Sequence, residues 1–269
     1  MTARLKDRFA QCKREGRTAL VTYVMAGDPD AHTCDQLLEG LPAAGADIIE
    51  LGMPFSDPMA DGPTIQRAAE RALKAGMSLA GTLRMAARWR EKDSQTPLVL
   101  MGYLNPILAY GQEAFIQNIA HIGVDGLIIV DLPVEEDTEL REAAAAHTIP
   151  LIRLTSPNTD EARAQIITRN AQGFIYHVSV LGITGTKSAE DQAVAAPLAR
   201  LRALTDLPIA VGFGIKTPQN AKAIARHADA VVVGSILIDA LTNKGIKAAL
   251  TLTAHLKDAL APSRSRMAP

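Results

Sequence analysis

The stretch IELGMPFSDPMADG, residues 49–62, carries three carboxylates, Glu50, Asp57 and Asp61, directly after an apolar run. A carboxylate buried without a partner is costly, and that cost is tolerated where a shifted pKa serves chemistry. In a strand over these residues Ile48, Glu50 and Gly52 share one face, and Asp47, Ile49 and Leu51 the other. A Glu50 that points into an apolar wall has a raised pKa, which suits proton donation near neutral pH. The alternative is a structural glutamate paired with Arg153 of a later apolar run. Asp57-Pro58 and Asp61-Gly62-Pro63 are also ordinary turn chemistry, and each aspartate taken alone reads as a turn former.

The elements that position these acids repeat along the chain. Apolar runs rich in Val and Ile occupy 18–26, 46–54, 96–103, 124–133, 150–156, 173–180, 207–214 and 228–235. Each is nearly continuous rather than alternating, as for parallel strands buried on both faces. Helical patterns of about ten to fifteen residues separate them, several opened by a capping residue and closed by glycine. Eight strand–helix units predict an α/β fold, a (β/α)8 TIM barrel. An extra helix precedes the first strand, over 2–15, and a spare helix is expected at 78–92 after the second unit. No linker or composition shift divides the chain, so one domain over 1–269 is expected. An open doubly wound sheet is the alternative, but the first strand runs into AGDPD rather than a GxGxxG fingerprint.

Barrels of this kind keep their active sites at the carboxyl ends of the strands. Those ends carry Asp28, Glu50, Tyr103, Asn105, Asp131, Tyr176 and His177. Glycine segments GITG (182–185), GFG (212–214) and GS (234–235) follow strands six, seven and eight. Each glycine alone reads as a tight turn. Together, two of them leading into helices and one followed by the Ser235 hydroxyl, they point to a phosphorylated small molecule. No lysine lies in any of the eight runs, so a Schiff-base aldolase lacks its nucleophile. His177 has no second ligand at metal spacing and reads as packed core. No G-x-S-x-G occurs. What remains is metal-free acid–base chemistry on a flat, phosphate-bearing substrate, with Tyr23, Tyr103, Tyr176 and Phe213 as aromatic walls.

The balance of the 269 residues is ordinary for a globular protein, 48% hydrophobic and 21% charged. A formal charge of −1 gives no footprint for nucleic acid or anionic lipid. The amphipathic start lacks the apolar core of a signal peptide, and no run is long enough to span a membrane. Cys12 and Cys34 are expected as reduced thiols of a cytosolic, cytoplasmic protein, a disulfide between them being the alternative.

The stretch IELGMPFSDPMADGPTIQRA resembles the signature of the tryptophan synthase α subunit family. The likeness continues through LVTYVMAGDPD, MGYLNPILAYG, GVDGLIIVDLPVEE, FIYHVSVLGITG, GFGIKTP and VVVGS, nearly the whole chain in order. The resemblance implies retro-aldol cleavage of indole-3-glycerol phosphate to indole and glyceraldehyde 3-phosphate, with Glu50 and Asp61 as the catalytic pair. It places Tyr23, Tyr103, Tyr176 and Phe213 around the indole and propanol parts, and Thr184 of the sixth loop against Asp61. Gly185, Gly214, Gly234 and Ser235 fall on the phosphate-binding positions. It implies no cofactor in this chain, and a β subunit partner in an α2β2 tetramer that carries pyridoxal phosphate. Asp57 and Pro58 fall on the segment that contacts that partner. Some members carry an arginine two residues after the start of loop six, where this chain reads SVLGITG with Val180 and Leu181, so closure through such an arginine is not implied. Two other functions compete with a lyase in an αβ complex. One is a barrel that only activates its partner, against which the presence of both Glu50 and Asp61 argues; the other is a free-standing lyase.

Overall fold

All eight apolar runs contain a strand: β1 (Ala19–Met25), β2 (Ile48–Gly52), β3 (Leu98–Gly102), β4 (Gly126–Ile129), β5 (Arg153–Thr155), β6 (Ile175–Val178), β7 (Ile209–Gly212) and β8 (Ala230–Val233). The computed structural model describes residues 1–179, 187–212 and 214–261, with the backbone alone for 187–193. The strands pair in parallel in the order β4-β3-β2-β1-β8-β7-β6-β5. A parallel bridge between Leu127 and Leu151 joins the two ends. Its hydrogen bonds run from Leu127 N to Pro150 O (3.0 Å) and from Ile152 N to Leu127 O (2.8 Å). The (β/α)8 barrel expected from the repeat is thus the fold found.

The helices among the described residues are α1 (Ala3–Arg14), α2 (Ala31–Gly40), α3 (Pro63–Lys74), α4 (Leu79–Lys92), α5 (Leu104–Tyr110), α6 (Gln112–Ile122), α7 (Thr138–Ala146), α8 (Glu161–Arg169), α9 (Lys187–Leu204), α10 (Pro218–Ile224), α11 (Ser235–Lys244) and α12 (Ile246–Ala259). Their starts follow local chemistry. Asp30, Ser78, Asp160 and Thr217 each accept a backbone N–H of the first turn with the side chain. Proline stands in the first turn of α3 and α10, where its missing N–H costs nothing. Two helices follow β2, but the spare one is not 78–92. That segment, α4, takes the outer-ring place against α2 and α6, and its Trp89 Nε1 donates to Leu38 O at 3.0 Å. The additional helix is α3, which packs against β1 and α11 at the mouth. Both helices are amphipathic, so periodicity could not tell ring from lid.

Inside the ring, paired strands aim in-register neighbours the same way: Val21 beside Ile48, Tyr23 beside Glu50, Glu50 beside Val99. The inward set includes Val21, Ile48, Val99, Ile128, Phe174, Tyr176, Ala210 and Val232, one continuous apolar cluster. Leu5, Phe9 and Cys12 of α1, spaced to share one helix face, close this cluster from below. The Phe9 ring lies 5.8 Å from that of Phe174. Ile65, Ala68, Ala69 and Ala72 of α3 join it from above. The opposite strand faces, such as Ile49, Leu51, Leu98 and Leu100, pack under the helices in separate clusters. Each such side chain contributes roughly 1.5–3 kcal/mol by leaving water.

Ion pairs lock the amino-terminal face. Asp47, just before β2, accepts from Arg17 (2.7 and 3.0 Å), Lys257 (2.8 Å), Arg8 (3.4 Å) and the backbone N–H of Leu20 (2.9 Å). Burial alone would raise its pKa, but the Arg17 and Lys257 hydrogen bonds outweigh burial and hold the carboxyl below its usual range. Just before β4, Asp125 pairs with Arg4 (3.0 Å) and Arg90 (2.8 Å) and accepts from Leu98 N (3.0 Å). Through Arg4 and Arg8, α1 is tied to both. Cys12 and Cys34 are buried free thiols, so the reduced expectation stands over the disulfide.

Candidate active site

Among the described residues Glu50 is the acid that a strand points into the barrel, 1% exposed, on β2 between Tyr23 of β1 and Val99 of β3. Five buried side-chain nitrogen or oxygen atoms lack a hydrogen-bond partner among the described residues, and two of them are the oxygens of Glu50. Arg153 does not pair with it. That guanidinium binds Asp137 and donates to Ile167 O (3.0 Å), away from the interior. A structural Glu50–Arg153 pair is therefore excluded. Burial, and after it the negative charge of Asp61, push the Glu50 carboxyl up to about 8. Glu50 thus rests protonated at neutral pH.

The other rim carboxylates differ. Asp28 takes Arg71 of α3 in a two-pronged pair (2.7 and 2.9 Å), and Arg71 also reaches Thr242 Oγ1 of α11 (3.2 Å). Asp131 accepts the N–H of Leu104 at the start of α5 (2.9 Å). Both are committed to holding structure. Asp61, on the loop from β2 to α3, turns into the same space as Glu50. Burial pushes it up to about 6, while the neighbouring Tyr103 hydroxyl pulls the other way.

Glu50 and Asp61 line one cavity of about 110 Å3 at the carboxyl ends of the strands. Of the residues singled out from sequence, Tyr23, Tyr176, Gly214, Gly234 and Ser235 share its wall. Tyr103 stands behind the loop instead of on the wall. Its hydroxyl accepts the N–H of Ala60 (3.0 Å) and its ring lies 5.3 Å from Phe55. Asp57 and Pro58 face away from the cavity. With Met59, 84% exposed, they line an open groove of about 570 Å3 between this loop and α3. Thr184, Gly185 and Phe213 lie outside the described residues, as do Val180 and Leu181.

Two glycines make room for the ring walls. A Cβ on Gly52 would stand 2.2 Å from the Tyr23 hydroxyl oxygen, and one on Gly212 2.2 Å from that of Tyr176. Gly214, with φ of +76°, adopts a conformation costly for any side chain. His177 faces outward, as its place one residue beyond Tyr176 requires, with Nδ1 3.0 Å from Thr155 Oγ1. Burial, with Arg200 adding to it, lowers it to about 4, so it is a neutral core histidine. Sequence reading passed over the apolar floor, Ile65, Met101, Ile215 and Val232, because such residues look like any barrel filler. It also passed over Gln66, whose amide donates to Asp61 O at 2.9 Å. Nothing in its residue type marks it, because its partners are backbone carbonyls.

Fold and site together define a (β/α)8-barrel enzyme that works from the carboxyl ends of its strands. The family model described as tryptophan synthase alpha chain matches residues 9–261, and the chain belongs to that family. It is 59% identical to the tryptophan synthase alpha chain of Caulobacter sp. (strain K31), over 88% of this chain and 86% of that one. It is 50% identical to that of Granulibacter bethesdensis, over 97% and 98%. The crystal structure of tryptophan synthase subunit alpha from Legionella pneumophila str. Paris superposes with a TM-score of 0.88 at 36% identity, covering 97% of this chain and 99% of that one. The family is a lyase of tryptophan biosynthesis, generally free of cofactors, and an alpha chain implies a beta subunit partner. Among the described residues no group of three or more His, Cys, Asp or Glu is placed to hold a metal, and no helix is long and apolar enough to cross a membrane.

Proposed function

We propose that this chain cleaves indole-3-glycerol phosphate with Glu50 as proton carrier and Asp61 as the partner of the ring nitrogen. The reaction is the family's retro-aldol step, giving indole and glyceraldehyde 3-phosphate. Protonated Glu50 gives its proton to indole C3, which makes an indolenine cation and turns the ring into a leaving group. The Glu50 carboxylate then takes the proton of the side-chain hydroxyl. As the aldehyde carbonyl forms, the bond from C3 to the glycerol chain breaks and its electron pair returns to the ring. Glu50 ends the cycle protonated, and no proton is gained or lost overall. Asp61, ionised, accepts a hydrogen bond from the ring N–H and stabilises the cation while it exists.

The observation that carries this reading is the state of Glu50: buried, without a partner among the described residues, and sharing one cavity with Asp61. Tyr23, Tyr176 and Phe213 are assigned to the organic part of the substrate, and Tyr103 to supporting the loop that carries Asp61. Gly185, Gly214, Gly234 and Ser235 are assigned to its phosphate, and Thr184 to closing on Asp61. Support for the phosphate end is the place of Ser235 at the first residue of α11, where backbone N–H groups are free for an anion. The whole chain acts as one barrel domain in the cytoplasm. Its partner is a pyridoxal-phosphate β subunit in an α2β2 tetramer, met through the loop bearing Asp57 and Pro58. The exposure of Met59 beside them supports that face.

Glu50→Gln tests the chemistry. Cleavage should disappear while substrate binding persists, and turnover within tenfold of wild type would refute the role. Titrating β subunit into a cleavage assay tests the partner. Acceleration is expected, and a flat response would favour a free-standing lyase.

A further inference from the structure

The loop that carries Asp61 has no regular structure between Gly52 and Pro63, yet the acid must be aimed into a cavity. The direction of its Cα–Cβ bond is set by the two peptide planes on either side of its Cα, and the Tyr103 hydroxyl meets the carboxyl beyond it. The plane before it is held because Asp61 N donates to Pro58 O at 3.1 Å. Further back, Ala60 N donates to the Tyr103 hydroxyl at 3.0 Å. The plane after it is held from α3, where the Gln66 side-chain amide donates to Asp61 O at 2.9 Å. The same amide reaches Pro58 O at 3.4 Å. One side chain thus joins the carbonyl that accepts from Asp61 to the carbonyl of Asp61 itself.

Gln66 is itself secured. Its helix is anchored on the barrel mouth by the apolar face Ile65, Ala68, Ala69 and Ala72 and by Arg71 gripping Asp28 and Thr242. Gln66 also lines the outer groove with Asp57, Pro58 and Met59, while Ile65, its neighbour in sequence, lines the cavity. It therefore stands between the two spaces.

We propose that Gln66 is a positioning residue, whose amide holds the backbone of Asp61 so that its carboxylate meets the substrate in the cavity. The inference rests on the reading of Asp61 given above. Gln66 makes no contact with the reacting atoms and acts only through Asp61. Its loss therefore lowers the rate of the bound complex more than it weakens binding.

The experiment is a double-mutant cycle on the full chain, with Gln66→Met, Asp61→Asn and the two combined. Gln66→Met should lower kcat about tenfold with KM within twofold of wild type. In the Asp61→Asn background it should lower kcat less than twofold further. Equal losses in both backgrounds, or a Gln66→Met kcat within twofold of wild type, would overturn the proposal. A silent Asp61→Asn would remove the role of Asp61 and this inference with it. An impaired Asp61→Asn beside a silent Gln66→Met removes only the positioning role. Gln66→Glu, similar in size but unable to donate when ionised, should repeat the kcat loss. A carbon-13 titration of the Asp61 carboxyl in the ligand-free Gln66→Met protein gives a readout that needs no turnover. Glu50, Tyr23, Tyr103 and Tyr176 are the titratable groups that face it. Asp61 should titrate nearer the ordinary carboxyl range than in wild type, and an unmoved titration counts against the proposal. Loss of the circular dichroism spectrum in both variants would assign Gln66 to the fold and overturn it as well.

Discussion

Replacing Glu50 by glutamine should make the protein progressively harder to unfold, relative to wild type, as the pH rises from acid to alkaline. In the folded chain the carboxyl is raised from 4.5 to about 8. Below pH 4.5 it is protonated in both folded and unfolded chains and contributes no difference. Between 4.5 and about 8 the folded chain keeps a proton that the unfolded chain has released, so wild-type stability falls with pH. Above about 8 the full cost of the buried charge remains. The rise from 4.5 to about 8, at about 1.4 kcal/mol for each tenfold change in proton affinity, sets a ceiling of about 5 kcal/mol. Water entering the mouth lowers the realised figure, and about 2 kcal/mol or more is expected. The glutamine amide introduces a pH-independent penalty of about 1–3 kcal/mol if it stays unpaired, so the test is the slope of the difference, not its sign at one pH. Asp61, pushed by burial up to about 6, is charged over the upper part of the window and should extend the falling stretch to higher pH, because its charge is the second cause of the Glu50 shift. The assay is urea unfolding of both proteins at half-unit steps from pH 4.5 to 9, read by circular dichroism and by the fluorescence of Trp89, the one tryptophan, which is buried. A difference that stays flat across the window would refute the claim that Glu50 is held neutral by burial.

The same two carboxyls bound the activity. kcat/KM for cleavage should fall below about pH 6 as Asp61 takes up a proton and above about pH 8 as Glu50 loses one, a band that a pH–rate profile measures directly. Asp47→Ala should cost about 3–5 kcal/mol, since it strands the partly buried Arg17 and Lys257; thermal unfolding reads the loss, and KM of the folded fraction should stay put. Gly212→Ala should displace the Tyr176 ring, whose hydroxyl oxygen would lie 2.2 Å from the new methyl, and raise KM at least several-fold in steady-state kinetics.

The strands were legible because parallel strands buried on both faces leave continuous Val/Ile runs, and each run contains one. Which helix after β2 joins the ring was not legible. The sequences of α3 and α4 both carry an apolar stripe, and only packing shows that the stripe of α3 meets the barrel interior while α4 meets its neighbours in the ring. Glu50 could be found because period-two alternation placed it on the face of Ile48, but the rival pairing with Arg153 fell only when that arginine proved bound to Asp137. Tyr103 shows the limit of reading strand ends. Its position is right for a cavity wall, yet the ring lies behind the loop, because its hydroxyl and Phe55 hold it there. Gln66 was invisible for a related reason: its partners are backbone carbonyls, which leave no trace in residue type.

The helix α1 gives the barrel a floor. With Leu5 and Phe9 seated on the interior and Arg4 and Arg8 tied to the aspartates that precede β4 and β2, the vessel is stoppered at one end. Traffic is thereby confined to one end: whatever enters through the rim has to depart by the rim, past the loop that holds Asp61. Release of an uncharged fragment and of a phosphorylated one would then compete for one doorway.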